Sequence, residues 1–238
     1  MKTNTNSYTI IYSVILVVVV AFLLAFVYQV LKPQQDANVM LDTQKQILFA
    51  LNQDRDMSNE EAAQLWKELV VADDIIDENG NVVKAGTQGG TDAGFQSLKS
   101  SDAKSGTLVL FRCKVGGEDK YVIPVYGNGL WGPINGFIAI NGDKSSVFGV
   151  YFNHEGETAG LGAEIKDSKA WQELFKGKKL FKENERDNIA LAVEKKVSDP
   201  ATQVDCVTGA TITSNGVTDM LKSAKGGLQP YVKFLNSK

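Results

Sequence analysis

The sequence predicts an α+β domain carried on a single N-terminal transmembrane helix. Three observations predict it. Residues 4–31 carry no charge, and residues 10–31 are almost wholly apolar. The middle of the chain falls into short strand-like runs separated by Gly-Gly and Asn-Gly turns, which is hairpin chemistry. Helical patterns precede and follow those runs, an order that gives antiparallel strands with flanking helices rather than alternating βαβ units.

The apolar stretch is long enough to cross a hydrocarbon core of about 30 Å as a helix. Tyr8, Tyr12 and Tyr28 lie towards its ends, where interface aromatics gather. A secretory signal would have a shorter apolar region, about 7–15 residues, followed by a small-residue cleavage site. Tyr28-Gln29-Val30-Leu31-Lys32-Pro33 offers none, so residues 1–32 read as a retained anchor and 33–238 as the domain. Lys2 before the helix and Lys32 after it, the latter followed by Asp36, lean only slightly towards an inside N-terminus.

Residues 33–37 read as a short break at Pro33. Met40, Ile47, Leu48 and Leu51 then recur at helical spacing. Ser58 and Glu61 form a capping box ahead of Ala62, Leu65, Trp66 and Leu69. Ile75-Ile76 and Val82-Val83 flank a turn over 77–81. Residues 86–106, rich in Gly, Ser and Thr, read as a long surface loop. Two hairpins follow, 107–115 with 121–126 and 137–140 with 147–152. Asp167 or Ser168 caps a short helix carrying Trp171, Leu174 and Phe175. Residues 189–193 read as a further strand. Val217, Leu221 and Ala224 mark a helix that Gly226-Gly227 ends, and 231–235 form a last helical turn.

Composition excludes several function classes. The formal charge of −3 gives no basic footprint for nucleic acid. Two cysteines far apart, Cys113 and Cys206, and a single histidine, His154, leave zinc or haem without a ligand set. The two cysteines are compatible with a disulfide in an oxidising compartment or with two free thiols.

The stretch Asp205-Cys206-Val207-Thr208-Gly209-Ala210-Thr211-Ile212-Thr213-Ser214 carries the chemistry. It lies between a strand-like and a helix-like segment, with hydroxyls at Thr208 and Thr211 bracketing Gly209-Ala210. Glycine lets a ligand approach the backbone. Thr213, Ser214 and Asn215 are good N-cap residues, predicting a helix that begins there. A helix start offers free N–H groups and a positive dipole end to an anion. The stretch therefore suits a phosphate held beside a Thr hydroxyl; the same residues also make a plain polar turn.

Asp-x-x-Thr-Gly-Ala-Thr resembles the flavinylation motif of bacterial FMN-binding domains. Gly156-Glu157-Thr158-Ala159-Gly160-Leu161-Gly162 and the run from Tyr121 to Trp131 match the same family in order. With one membrane helix in front, the chain resembles the C-subunit family of sodium-translocating NADH:quinone oxidoreductases, a membrane-anchored covalent FMN-binding family. The resemblance implies an FMN phosphoester on Thr211, made from FAD by a separate flavin transferase. It implies an electron carrier within a six-subunit complex of the cell inner membrane, with the N-terminus cytoplasmic and the domain periplasmic. In the loop after the 147–152 strand, Gly160 and Gly162 let backbone amides reach a flat ring, Thr158 suits its polar edge and Leu161 its apolar face; the same residues also make a plain glycine-rich turn. Glu157 lies in the same motif, and Ala159 stands where the family often has Pro. Trp131 either walls the flavin or belongs to the core. Asp205 either orients Thr211, helps attachment through a metal or caps the turn. The G-subunit of the related ferredoxin-linked complex shares the flavin motif, and a membrane-anchored binding module without redox chemistry is the reading from another class.

Overall fold

The computed structural model describes residues 5–237. Helix α1 (Asn6–Ala50) carries the apolar stretch, long and apolar enough to cross a membrane. The chain divides into two units between Thr43 and Gln44. The expected break over 33–37 does not occur, because α1 runs through Pro33. Proline's fixed φ suits a helix, and its cost is the one N–H that the Gln29 carbonyl lacks. Flanking Gln34, Gln35 and Ala37 are good helix formers. Lys2, whose charge bears on orientation, lies outside the described residues.

The second unit is built on a six-stranded antiparallel sheet. Its strands are β1 (Val70–Ile76), β2 (Val82–Lys84), β3 (Leu108–Val115), β4 (Glu118–Asn128), β5 (Pro133–Asn141) and β6 (Val147–His154), in the order β2-β1-β3-β4-β5-β6. The hairpins expected at Gly116-Gly117 and after Asn141 are both present. Alternating strand residues serve two cores, so both faces are covered. On one face, α2 (Asn59–Leu69) lays Trp66 edge-on against Phe111 of β3, ring centroids 5.9 Å apart. The Ser58–Glu61 capping box fixes its start, worth about 1 kcal/mol. The end of α1 joins this layer through Phe49, 5.5 Å from the Tyr151 ring, and Asn52 donates to the Phe148 carbonyl.

The loop expected over 86–106 is surface only in part. Asp73 of β1 is buried, and its Oδ2 accepts the N–H groups of Ala93 and Phe95 at 3.0 Å each. That draws the 3-10 turn Gly94–Ser97 onto the sheet, with Phe95 stacked edge-on to Trp66. A short α3 (Ser100–Lys104) follows. A buried acid on a strand is a sequence feature that pattern alone reads as an outward-facing residue.

The other face holds the larger core. α4 (Glu164–Asp167), α5 (Lys169–Glu173), α6 (Thr211–Lys222) and α7 (Val232–Asn236) pack there with the parallel pair β7 (Ala192–Glu194) and β8 (Gln203–Asp205). Ser168 caps α5, and Trp171 and Phe175 pack on Phe152, whereas Leu174 stays half exposed. β7 is shorter than the strand expected over 189–193. Ile189 N–H goes to the Gln229 side chain and Ala190 N–H to the Leu180 carbonyl, which takes those amides out of the ladder. α6 ends at Lys222, leaving Ala224 beyond it. Thr218 of α6 donates to Val193 O and accepts from Val193 N, both at 2.8 Å, clamping the helix to β7. Gly216 lets its other flank close on the end of β4, where a Cβ would lie 2.3 Å from the Asn128 carbonyl oxygen.

Candidate functional site

Three segments converge beside the start of α6: the β4–β5 turn, the loop after β6 and the β8–α6 turn. The first is a tight reversal between Gly129 and Gly132. Gly129 N–H donates to Gly132 O at 2.8 Å, so Leu130 and Trp131 form its tip. Trp131 is 68% exposed, which removes the alternative of a core tryptophan. The second segment turns on Thr158, whose carbonyl accepts the N–H groups of Leu161 and Ala163 at 3.1 Å. Gly160 takes φ +72° there.

The third segment starts from β8. Trp171 Nε1 donates to the Asp205 carbonyl at 2.8 Å, Cys206 N–H to Glu194 O, and Val207 N–H to the Ser214 hydroxyl. Gly209 reverses the chain with φ +77°, where a Cβ would also meet Leu161 Cδ2 at 2.9 Å. Thr211 is then the first residue of α6, behind the N-cap position of Ala210.

The helix thus begins two residues before the expected caps. Neither Thr213 nor Ser214 caps it, because both hydroxyls are engaged elsewhere. Thr213 Oγ1 donates to Glu157 Oε2 at 2.6 Å, and Ser214 Oγ accepts from Val207. The amides of Thr211, Ile212 and Thr213 open the helix and have no intrahelical acceptor by position. The Thr211 hydroxyl makes no hydrogen bond among the described residues and faces the cleft.

That cleft has a volume of about 450 Å³, within the range of small-molecule sites. Leu130, Trp131, Leu161 and Ile212 form apolar lips, all at least 43% exposed. Thr158, Gly162, Gly209, Ala210, Thr211 and Thr213 line the rest, with Glu157 at its base. Gly160, Thr208 and Asp205 lie outside the lining; Asp205 ends β8 and Thr208 lies on the turn that leads to Thr211, both exposed. His154 accepts the Glu157 N–H through Nδ1 at 3.2 Å, a backbone-shaping role. Both cysteines are free thiols, Cys113 buried and Cys206 half-buried.

Apolar walls around a hydroxyl at the first turn of a 12-residue helix fit a planar ring bearing a phosphate. The comparisons with known proteins point the same way. The FMN-binding domain family matches residues 129–225, a span containing all three segments. The chain is 34% identical over 246 residues to the Na(+)-translocating NADH-quinone reductase C-subunit of Haemophilus ducreyi, covering 96% of this chain and 94% of that one. The crystal structure of the C-subunit of the same name from Parabacteroides distasonis superposes with a TM-score of 0.75 at 36% identity, covering 87% of this chain and 98% of the other. That of Shewanella oneidensis NqrC shares the fold, with a TM-score of 0.65 at 24% identity. Near-complete coverage in both directions, at this identity and with the flavin-domain match over the cleft, means that the chain belongs to the C-subunit family of the Na(+)-translocating NADH-quinone reductases.

Proposed function

We propose that this chain is the FMN-carrying subunit of a sodium-translocating NADH:quinone reductase, an electron carrier with its flavin esterified to Thr211. The observation that carries the reading is the free Thr211 hydroxyl at the head of α6, at the mouth of an apolar-lipped cleft. Thr211 Oγ would attack the flavin-side phosphorus of FAD. An O–P bond forms, the diphosphate bridge breaks, AMP leaves and the hydroxyl proton passes to a base of the transferase. Once attached, the phosphate meets the open amides and positive end of α6. Leu130, Trp131, Leu161 and Ile212 supply apolar cover for the ring, and the exposed Thr158 hydroxyl is free to bond its polar edge. Bound FMN supplies one- and two-electron chemistry, which an ester at the phosphate leaves intact.

Residues 1–32 are the anchor in this reading, with the N-terminus in the cytoplasm and 33–238 outside the inner membrane. The chain works beside the other members of a six-subunit complex, relaying electrons between membrane redox centres towards quinone. Intact mass and peptide mapping of the denatured protein test it. The mass expected is that of the chain plus FMN less water, on the peptide bearing Thr211. Unmodified protein from cells with an active flavin transferase overturns the reading. Co-purification with ferredoxin-linked partners would assign the chain to the related complex instead.

A further inference from the structure

We propose that Glu157 is a positioning residue that braces the Leu130–Trp131 tip against the first turn of α6. Glu157 is buried, 8% exposed, and both of its carboxylate oxygens are engaged. Oε1 accepts the Trp131 N–H at 2.8 Å and Oε2 the Thr213 hydroxyl at 2.6 Å. Among the described residues no other hydrogen bond joins the tip to α6. Two glycines make room for the carboxylate. A Cβ at Gly129 would lie 2.4 Å from Oε1, and one at Gly162 would lie 2.3 Å from Oε2. Three segments far apart in sequence are therefore shaped around one acid. Burying a carboxylate is costly unless its acceptors are filled, and an apolar contact would hold a turn without that cost. A charge-assisted pair of bonds adds direction: it fixes the tip relative to the helix that carries Thr211. Glu157 thus sets how wide the cleft stands and where the indole sits, acting through Trp131 and Thr213 rather than by touching a ligand.

The inference rests on the FMN reading for its purpose, but its test does not need the flavin. Amide hydrogen exchange is measured on the full chain in detergent, in a Thr211→Val background. Glu157→Ala is expected to speed exchange of the Trp131 amide about tenfold or more, the loss of a hydrogen bond to a charged acceptor. Exchange in the β3–β4 hairpin and α2 should not move. Thr213→Val, which removes only the far arm, should also speed Trp131 exchange, though Trp131 is untouched. Glu157→Gln keeps an acceptor for Trp131 and a polar partner for Thr213, so it should restore most of the protection. In Thr211 protein carrying its flavin, Glu157→Ala should lower flavin fluorescence anisotropy with FMN still attached. Unchanged Trp131 exchange in both the Ala and the Thr213→Val variants overturns the brace. If Glu157→Ala raises exchange everywhere, Thr213→Val decides alone: local acceleration at Trp131 supports the brace and none refutes it. Absence of FMN on Thr211 would remove the flavin reading while leaving the exchange result to stand or fall by itself.

Discussion

Thr211 and Thr213 are two residues apart, and the structure gives them opposite fates. The Thr213 hydroxyl is buried, and it donates at 2.6 Å to a buried carboxylate. Thr213→Val keeps the β-branched shape and leaves no cavity, but Glu157 Oε2 loses its donor. A hydrogen bond to a charged group is worth about 1.5–3 kcal/mol. For a domain of this size each kcal/mol moves Tm by roughly 2–4 °C, so the melting point should fall by about 3–12 °C. The Thr211 side chain is exposed and unbonded, so Thr211→Val should change stability by no more than about 0.5 kcal/mol. Flavin attachment should follow the reverse order, lost in Thr211→Val and kept in Thr213→Val. Thermal melts and intact masses of the two variants, made in cells with the transferase, read both axes at once. The reasoning fails if Thr213→Val melts like the wild type, or if FMN is found at Thr213 or Thr208 of the Thr211→Val protein.

Three further outcomes are expected. The mature protein should retain the apolar stretch of α1; an N-terminal sequence beginning after Leu31 would show that it is a cleaved signal instead. Leu161→Ala and Thr158→Ala should leave FMN attached while altering its absorption spectrum or potential, because both residues line the cleft and neither is the proposed attachment point; wild-type spectra and potentials in both variants would place this loop away from the ring. Burial pushes the Cys113 thiol well above its ordinary range, so native protein at pH 8 should resist iodoacetamide at Cys113 until it is denatured, and rapid native alkylation there would contradict the packing of β3.

What the sequence made legible was local. Ser58 and Glu61 are three residues apart, and their box forms as read. Gly116-Gly117 and the Asn141 turn sit between alternating runs, and both hairpins follow. What escaped depends on partners distant in sequence. Thr213 and Ser214 look like caps because their hydroxyls are suited to orphan amides. In the fold Thr213 finds an acid 56 residues earlier, Ser214 finds Val207, and the helix starts at Thr211 without a side-chain cap. The β4–β5 reversal carries turn signals in Asn128-Gly129 and Gly132-Pro133, but what its two exposed apolar tip residues face depends on segments distant in sequence. Asp73 shows the same limit. Its alternating position on β1 gives no hint that the Ala93 and Phe95 amides will fold back to meet it.

The exposed lips bear on why a tether would be needed. A small ligand held without a covalent bond usually has most of its surface buried. Here the four apolar residues at the cleft are each between 43% and 68% exposed, so the walls are low. Low walls give weak retention but leave a bound ring open to a partner, which a carrier that must exchange electrons on both sides requires. A phosphoester at the head of α6 would separate the two demands. Retention would rest on one bond to Thr211, and the lips would be left to orient the ring and tune its surroundings. On that argument, deepening the cleft should work against function even where it improves binding. Thr158→Trp, which would extend one lip, should hold free FMN more tightly in the Thr211→Val background yet slow electron transfer in the tethered protein. Stopped-flow reduction by an external donor, beside FMN titration of the untethered variant, would read both; faster transfer with tighter binding would refute the argument.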